Sequence, residues 1–198
     1  MKIIMIGAAG TIGKKVIAAL EKEHGIVRVG RTSGDIRADI TSLDSIEKMF
    51  KQAGAFDALV SMAGDIHFGP LKDMTDTEFR KGLDSKLMGQ VNLVLVGQHY
   101  INPGGSFTLT SGSLSDDPVP LGANASAVNA ALEGFGRSAA LELTGDVRIN
   151  VVSPSVVEDS PGYFPFFPGY FPVTMERVVA AYQKSILGAR TGEVFAVR

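Results

Sequence analysis

The sequence predicts an α/β fold of three layers, with about six to seven strands in a single parallel sheet and helices on both faces. Three observations lead there. Short apolar runs alternate along the chain with longer segments of helical periodicity. Glycines follow several of the runs, at Gly7, Gly30 and Gly64, where parallel strands must give way to turns. Neither a repeat nor a break in composition interrupts the pattern, so residues 1–198 read as one domain.

The first element is the apolar run Lys2-Ile3-Ile4-Met5-Ile6, which ends in Gly7-Ala8-Ala9-Gly10-Thr11-Ile12-Gly13. Ile12, Val16 and Leu20 then share one helical face, and Gly25 is a suitable residue to close that helix. Ile26 to Val29 reads as a second buried strand, ending in Gly30-Arg31-Thr32-Ser33. In a strand–turn–helix unit, one glycine permits the tight turn and one admits backbone N–H groups to a pyrophosphate. The third lets helix pack on strand. Three glycines alone could be a mere turn; in this setting they favour a dinucleotide site over Gly7, Ala9, Gly10, Thr11, Ile12 and Gly13.

Thr41 and Asp44 have the spacing of a capping box. The helix they open carries Leu43, Ile46, Met49 and Phe50 inward and ends at Gly54. Phe56 to Met62 is a third strand running into Ala63-Gly64. Thr75 and Glu78 cap a long helix over about 76–97, and Phe107 to Ser111 follows as a strand. A helix over about 122–143, a strand over 147–152, a helix over 174–187 stopped by Gly188 and a strand over 194–197 complete the series. Ligands of such a sheet sit beyond the carboxyl ends of its strands. That directs attention to 7–13, 30–33, 61–64, 111–115 and 153–159.

Composition sets limits. Hydrophobic residues are 45% and charged residues 20%, with a net charge of −2, so neither nucleic acid nor an anionic membrane is expected as a partner. Cysteine is absent, which excludes disulfide and thiolate chemistry. The N-terminal apolar run is too short for a signal peptide and no later one is long enough for a bilayer span, so a cytoplasmic location is expected. His24, His67 and His99 show no metal-ligand spacing, and no metal is expected.

Several ordered stretches resemble the short-chain dehydrogenase/reductase family over nearly the whole chain: Gly7-x-x-Gly10-x-x-Gly13, Ser61-Met62-Ala63-Gly64, Thr110-Ser111, Asn129 to Phe135 and Arg148 to Pro154. The resemblance implies a Rossmann-like dinucleotide fold, with Ala63 and Gly64 beside the cofactor and Ser111 in the place of the family's carbonyl-binding serine. Ser113 and Ser115 blur that last assignment. It also implies a homodimer or homotetramer paired through the helices over 76–97 and 122–143. Where NAD-preferring members carry an acid after the second strand, this chain has Arg31, Thr32 and Ser33. A guanidinium flanked by hydroxyls suits a 2′-phosphate, which favours NADP(H), although a solvated surface arginine is the plainer alternative. Asp39 matches the family's acidic residue near adenine, or is a turn residue.

The chain departs from the family at its catalytic centre. Alignment on Ala130-Ala131-Leu132 puts Ala125 at the tyrosine position of Tyr-x-x-x-Lys and Asn129 at the lysine position; one residue of slip offers Asn124. Lys86 stands where the family has a structural asparagine, and it falls with Gln90 inside the stripe of Phe79, Leu83, Leu87, Leu93 and Val94. Such a lysine either snorkels at the stripe's edge or enters the cleft and takes over part of the missing lysine's role. Tyr163 and Tyr170 lie in an aromatic, proline-rich run within the substrate loop at about 154–173. That loop reads as a lid or a subunit contact, with a core plug as the alternative.

Two functions are consistent with these residues. One is an NADPH-dependent oxidoreductase that passes hydride to a small carbonyl, enone or quinone. Acceptors giving weakly basic, delocalised anions have least need of the missing acid. The other is a degenerate NADP(H)-binding sensor acting through a protein partner.

Overall fold

The computed structural model describes residues 1–198. Seven parallel strands form one sheet in the order β3-β2-β1-β4-β5-β6-β7. They are β1 (Lys2–Ile6), β2 (Gly25–Gly30), β3 (Ile36–Arg37), β4 (Phe56–Ser61), β5 (Ile101–Thr110), β6 (Arg148–Pro154) and β7 (Val194–Val197). β1 lies near the centre, with Ile3 opposite Ile26 on one side and Ala58 on the other. The direction of winding reverses between β1 and β4, which opens a crevice at their carboxyl ends.

Helices α1 (Thr11–Leu20) and α6 (Met175–Leu187) cover one face; α2 (Leu43–Ala53), α4 (Met88–Gly97) and α5 (Ala123–Ala139) cover the other. Buried parallel strands read as unbroken apolar runs because alternate side chains enter different cores. Ile3 and Met5 thus join Val16, Leu20 and Tyr182 on one side, while Ile4 and Ile6 join Phe50, Leu93 and Leu132 on the other. No helix is long and apolar enough to cross a membrane.

Several local expectations need correction. α1 stops at Leu20, not Gly25; a turn comes next, and Gly25 already pairs with Lys2 as the first residue of β2. α2 is capped by Ser42, whose hydroxyl accepts from Ser45 N at 3.3 Å, and the expected Thr41–Asp44 box does not form. Leu43, expected inward, is half-exposed because it is the first residue of that helix. The polar stretch after Ser33 contains the short edge strand β3. α5 ends at Ala139, earlier than expected, and only turns continue to Leu143.

The Thr75–Glu78 capping box forms as expected and opens α3 (Asp76–Arg80). Between α3 and α4 the helix widens into a π turn over Lys81–Leu87, in which Met88 N–H reaches back five residues to the Leu83 carbonyl. Gly82 of that turn lies against Asn124 of α5, where a Cβ would come within 2.2 Å of Asn124 Oδ1. The Asn124 amide ties three segments together: Nδ2 donates to Phe79 O at 2.6 Å and Oδ1 accepts from His67 N at 2.9 Å. An extra residue in a helical turn rotates the side chains beyond it, and such turns recur at functional sites.

Candidate cofactor and acceptor site

Two cavities open beyond the carboxyl ends of the strands, and each is bordered by a residue of the π turn. The first, of about 170 Å³, lies at the crevice and is bordered by Gly7, Arg31, Asp39, Ala63, Gly64 and Ser85, among others. The second, of about 190 Å³, is bordered by Lys86, Ser111, Gly112, Ala125, Asn129 and the aromatic side chains Phe68, Tyr163 and Phe167. Ser85 and Lys86 are consecutive residues of the π turn and face different cavities.

The first cavity is built from backbone. Gly7 has φ +81°, and a Cβ there would lie 3.0 Å from the Met62 carbonyl group at the end of β4. A Cβ on Gly13 would lie 2.4 Å from Gly7 O, so only glycine lets α1 start this close to the strand. The helix follows Gly10 with no side-chain cap, leaving its first N–H groups without a side-chain partner. Ala9, Gly10 and Thr11 are exposed at this turn, whereas Ile12 also packs against the α1–α6 core.

Arg31 stands at the rim with NH1 3.7 Å from Asp65 Oδ2, both side chains well exposed. Thr32 and Ser33 are exposed beside it. Asp39 is a turn residue that also borders the cavity. Its Oδ1 accepts from Thr41 N at 3.0 Å and Thr41 Oγ1 at 2.8 Å, bonds that hold its pKa below the usual carboxylate value. Gly64, at φ +138°, lets the chain after β4 touch the π turn; a Cβ there would lie 2.6 Å from Lys86 Cα.

In the second cavity, Lys86 Nζ donates to the Ser111 carbonyl at 2.9 Å. Burial lowers its pKa from 10.5 to about 8, and no carboxylate offsets that effect. Ala125 and Asn129, one turn apart on α5, line the same cavity. Asn129 is buried and its Oδ1 has no hydrogen-bond partner.

Ser111 borders the cavity, but its hydroxyl is committed elsewhere: it donates to Glu133 Oε1 at 2.8 Å. The same oxygen accepts from Ser115 Oγ at 2.7 Å, and Arg137 lies 3.7 Å from the other carboxylate oxygen. Glu133 therefore clamps both ends of the segment 111–115. Gln90, the other polar residue of the long helix's apolar stripe, is buried and holds both the N–H and the carbonyl of Thr110 at 2.9 Å. Sequence reasoning missed the part played by Glu133, because one acid in an alanine-rich helix carries no signal of what it will meet.

The aromatic loop is pinned at its base by Val157 and Val173, with Glu158 N donating to Val173 O at 3.0 Å. None of residues 161–172 is buried, so the loop is no core plug. Phe68 packs on Tyr163 and Phe166, with ring centroids 6.4 and 5.2 Å apart. Tyr170 is drawn away, its hydroxyl donating to Asp117 O at 3.1 Å. Tyr182 lies beneath the sheet, bonded to Thr110 Oγ1 at 2.6 Å, and borders neither cavity. No group of three His, Asp or Glu side chains is placed to hold a metal.

A glycine-walled crevice at the switch point of a parallel sheet defines a dinucleotide-binding α/β protein. Comparison with known proteins makes this specific: a family model described as enoyl-(acyl carrier protein) reductase matches residues 2–163, and the chain belongs to the short-chain dehydrogenase/reductase family. It is similar over its full length to the protein lin1944 from Listeria innocua, at 46% identity, TM-score 0.98 and full coverage of both chains. It is likewise similar to a small-chain dehydrogenase solved in complex with NADPH, at 28% identity and TM-score 0.89, covering 100% of this chain and 96% of that one. Versicolorin reductase 1 of Dothistroma septosporum is 31% identical over 140 residues, 67% of this chain and 53% of that protein. The chain spans about half the length of the first of the curated relatives it matches.

Proposed function

We propose that the protein is an NADPH-dependent reductase acting on a small, conjugated carbonyl acceptor such as an enone or quinone. The observation that carries this reading is the pair of cavities on either side of the consecutive residues Ser85 and Lys86: one glycine-walled beside an arginine, the other largely apolar with a single ammonium. The uncapped start of α1 and the absent Cβ atoms of Gly7 and Gly13 fit a pyrophosphate. Arg31, with Thr32 and Ser33, fits a 2′-phosphate, while Asp39, Ala63 and Gly64 flank the remainder of the nucleotide. The cofactor, when bound, supplies hydride.

The chain's own part is to orient the acceptor and stabilise the charge that develops on its oxygen. Lys86 is suited to both, because its ammonium has N–H groups beyond the one held by Ser111, and a pKa of about 8 suits proton donation near neutral pH. Ser111 acts through its carbonyl, which holds Lys86, and not through its hydroxyl. Ala125 and Asn129 supply no acid in place of the family's tyrosine and lysine. This favours acceptors whose reduced anion is delocalised. The NADPH complex of the 28%-identical structure and the reductase names of the curated relatives support the reading. Pairing into dimers or tetramers belongs to the same reading, through a helical face on which Leu95 is exposed.

The test is a fluorescence titration with NADPH and, separately, NADH, followed by turnover with quinones and enones. Preference for NADPH together with turnover is expected. Tight NADPH binding with no turnover of any acceptor would leave the sensor as the better account, and no binding of either nucleotide would remove both.

A further inference from the structure

The second cavity contains an amine and no acid. Lys86 is on its wall, no aspartate or glutamate is, and Tyr163 is the other titratable side chain there. Lys86 Nζ is held by one protein group, the Ser111 carbonyl at 2.9 Å. Lys15, Lys48 and Lys72 differ: they pair at the surface with Asp159, Asp44 and Asp73 at 3.3, 2.6 and 3.9 Å. The acids on neighbouring segments are engaged elsewhere. Glu133 holds the Ser111 and Ser115 hydroxyls and faces Arg137, Asp65 pairs with Arg31, and the exposed Asp84 acts on Arg80.

An ammonium enclosed by apolar side chains and lacking an anion is costly, so these surroundings favour the uncharged amine. That form keeps its bond to Ser111 O through one N–H and still presents a lone pair to the cavity. A desolvated lysine amine is a nucleophile toward carbonyl carbon. The flat or branched apolar side chains of Ile66, Phe68, Leu114 and Phe167 receive the body of a planar, apolar guest. An aldehyde carbon, with one substituent, is less hindered than a ketone carbon in an enclosed space.

We propose that Lys86 is a covalent capture site for aromatic and conjugated aldehydes, which it binds as an imine. A C=N bond replaces the C=O bond, and the carbonyl oxygen leaves as water with the two hydrogens of the amine. Nothing is oxidised or reduced, and hydrolysis reverses the step. Capture needs no nucleotide, so it goes beyond the reductase reading. The two uses draw on different forms of one residue: the ammonium donates to an acceptor's oxygen, and the amine attacks carbon. With a pKa of about 8, both forms are present near neutral pH.

The experiment incubates the full chain, without nucleotide, with cinnamaldehyde and sodium cyanoborohydride, which converts an imine to a stable secondary amine. Peptide mass spectrometry should place the first lysine adduct at Lys86, formed at least about tenfold faster than at any exposed lysine, because more of it is uncharged. Its rate should also saturate with aldehyde concentration, as binding in a cavity requires, while exposed lysines respond linearly. Labelling of Lys86 no faster than the exposed lysines overturns the inference. Fast but unsaturable labelling overturns the cavity's part in it. Absence of the adduct from a chain that still binds NADPH and reduces quinones sinks capture alone. The adduct in a chain that binds no NADPH supports capture and removes the reductase reading.

Discussion

The crevice beside β1 and the cavity beside β5 are built on opposite principles. The first is defined by absent side chains: Gly7, Gly13 and Gly64 permit contacts of backbone with backbone, and a Cβ at any of them would meet main-chain atoms at 2.4–3.0 Å. The second is defined by particular side chains, Lys86 and Asn129 on its wall and Glu133 holding Ser111, placed by elements distant in sequence. Backbone sites tolerate little change, because no rotamer relieves a clash with the main chain. Side-chain sites can be rewritten residue by residue while the cavity persists.

The largest effect should break the first half. Gly13→Val places atoms into Gly7 O and Ala8 O, so nucleotide binding should be abolished in calorimetry. The melting temperature should fall with a loss of about 2–3 kcal/mol. Retained NADPH affinity in this variant would show that the glycine turn is not the pyrophosphate site.

Lys86→Met tests the second half. Turnover should drop about 100-fold, while NADPH affinity changes by less than about threefold. Wild-type kcat should decline above pH about 8 as the ammonium loses its proton. The stability sign is opposite. The folded pKa lies below the unfolded value of 10.5, so the unfolded chain binds more protons between about pH 8 and 10.5. Wild type should therefore gain stability relative to Lys86→Met as pH rises through that window, measured by urea unfolding at several pH values.

Glu133→Ala should cost about 1–3 kcal/mol by leaving the Ser111 and Ser115 hydroxyls without their shared acceptor. It should also lower kcat by releasing the segment that holds Lys86. Glu133→Gln retains an acceptor oxygen and should recover most of both. Equal loss in the two variants would point to the charge itself, through Arg137, as the important feature. The smallest effect is expected at the exposed rim: Arg31→Ala should weaken NADPH about tenfold, or about 1.4 kcal/mol, and leave NADH unchanged. Asp65→Asn sharpens that test. Removing the carboxylate 3.7 Å from Arg31 should tighten NADPH slightly if the guanidinium is the phosphate ligand.

The division between the halves is also the division between the features legible in the sequence and those that were not. Alternating runs, the Thr75–Glu78 box and the glycine spacing determined the parallel sheet, its helices and the glycine turn after β1, because each depends on residues near one another in the chain. The ends of α1 and α5 were misplaced, since tertiary packing and strand pairing decide where a helix stops. The sequence set Ala125 and Asn129 at the positions of the family's acid pair, and the structure puts both on the wall of one cavity.

Only the tertiary structure decided that Lys86 enters the cleft, because its direction is set by a π turn anchored through Gly82 and Asn124, residues of two different helical segments. Only it showed that the Ser111 hydroxyl turns to Glu133 while its carbonyl serves Lys86. The physical reason is range: propensity and periodicity act over a few residues, whereas the orientation of a buried polar group is fixed by whichever partner packing brings within about 3 Å.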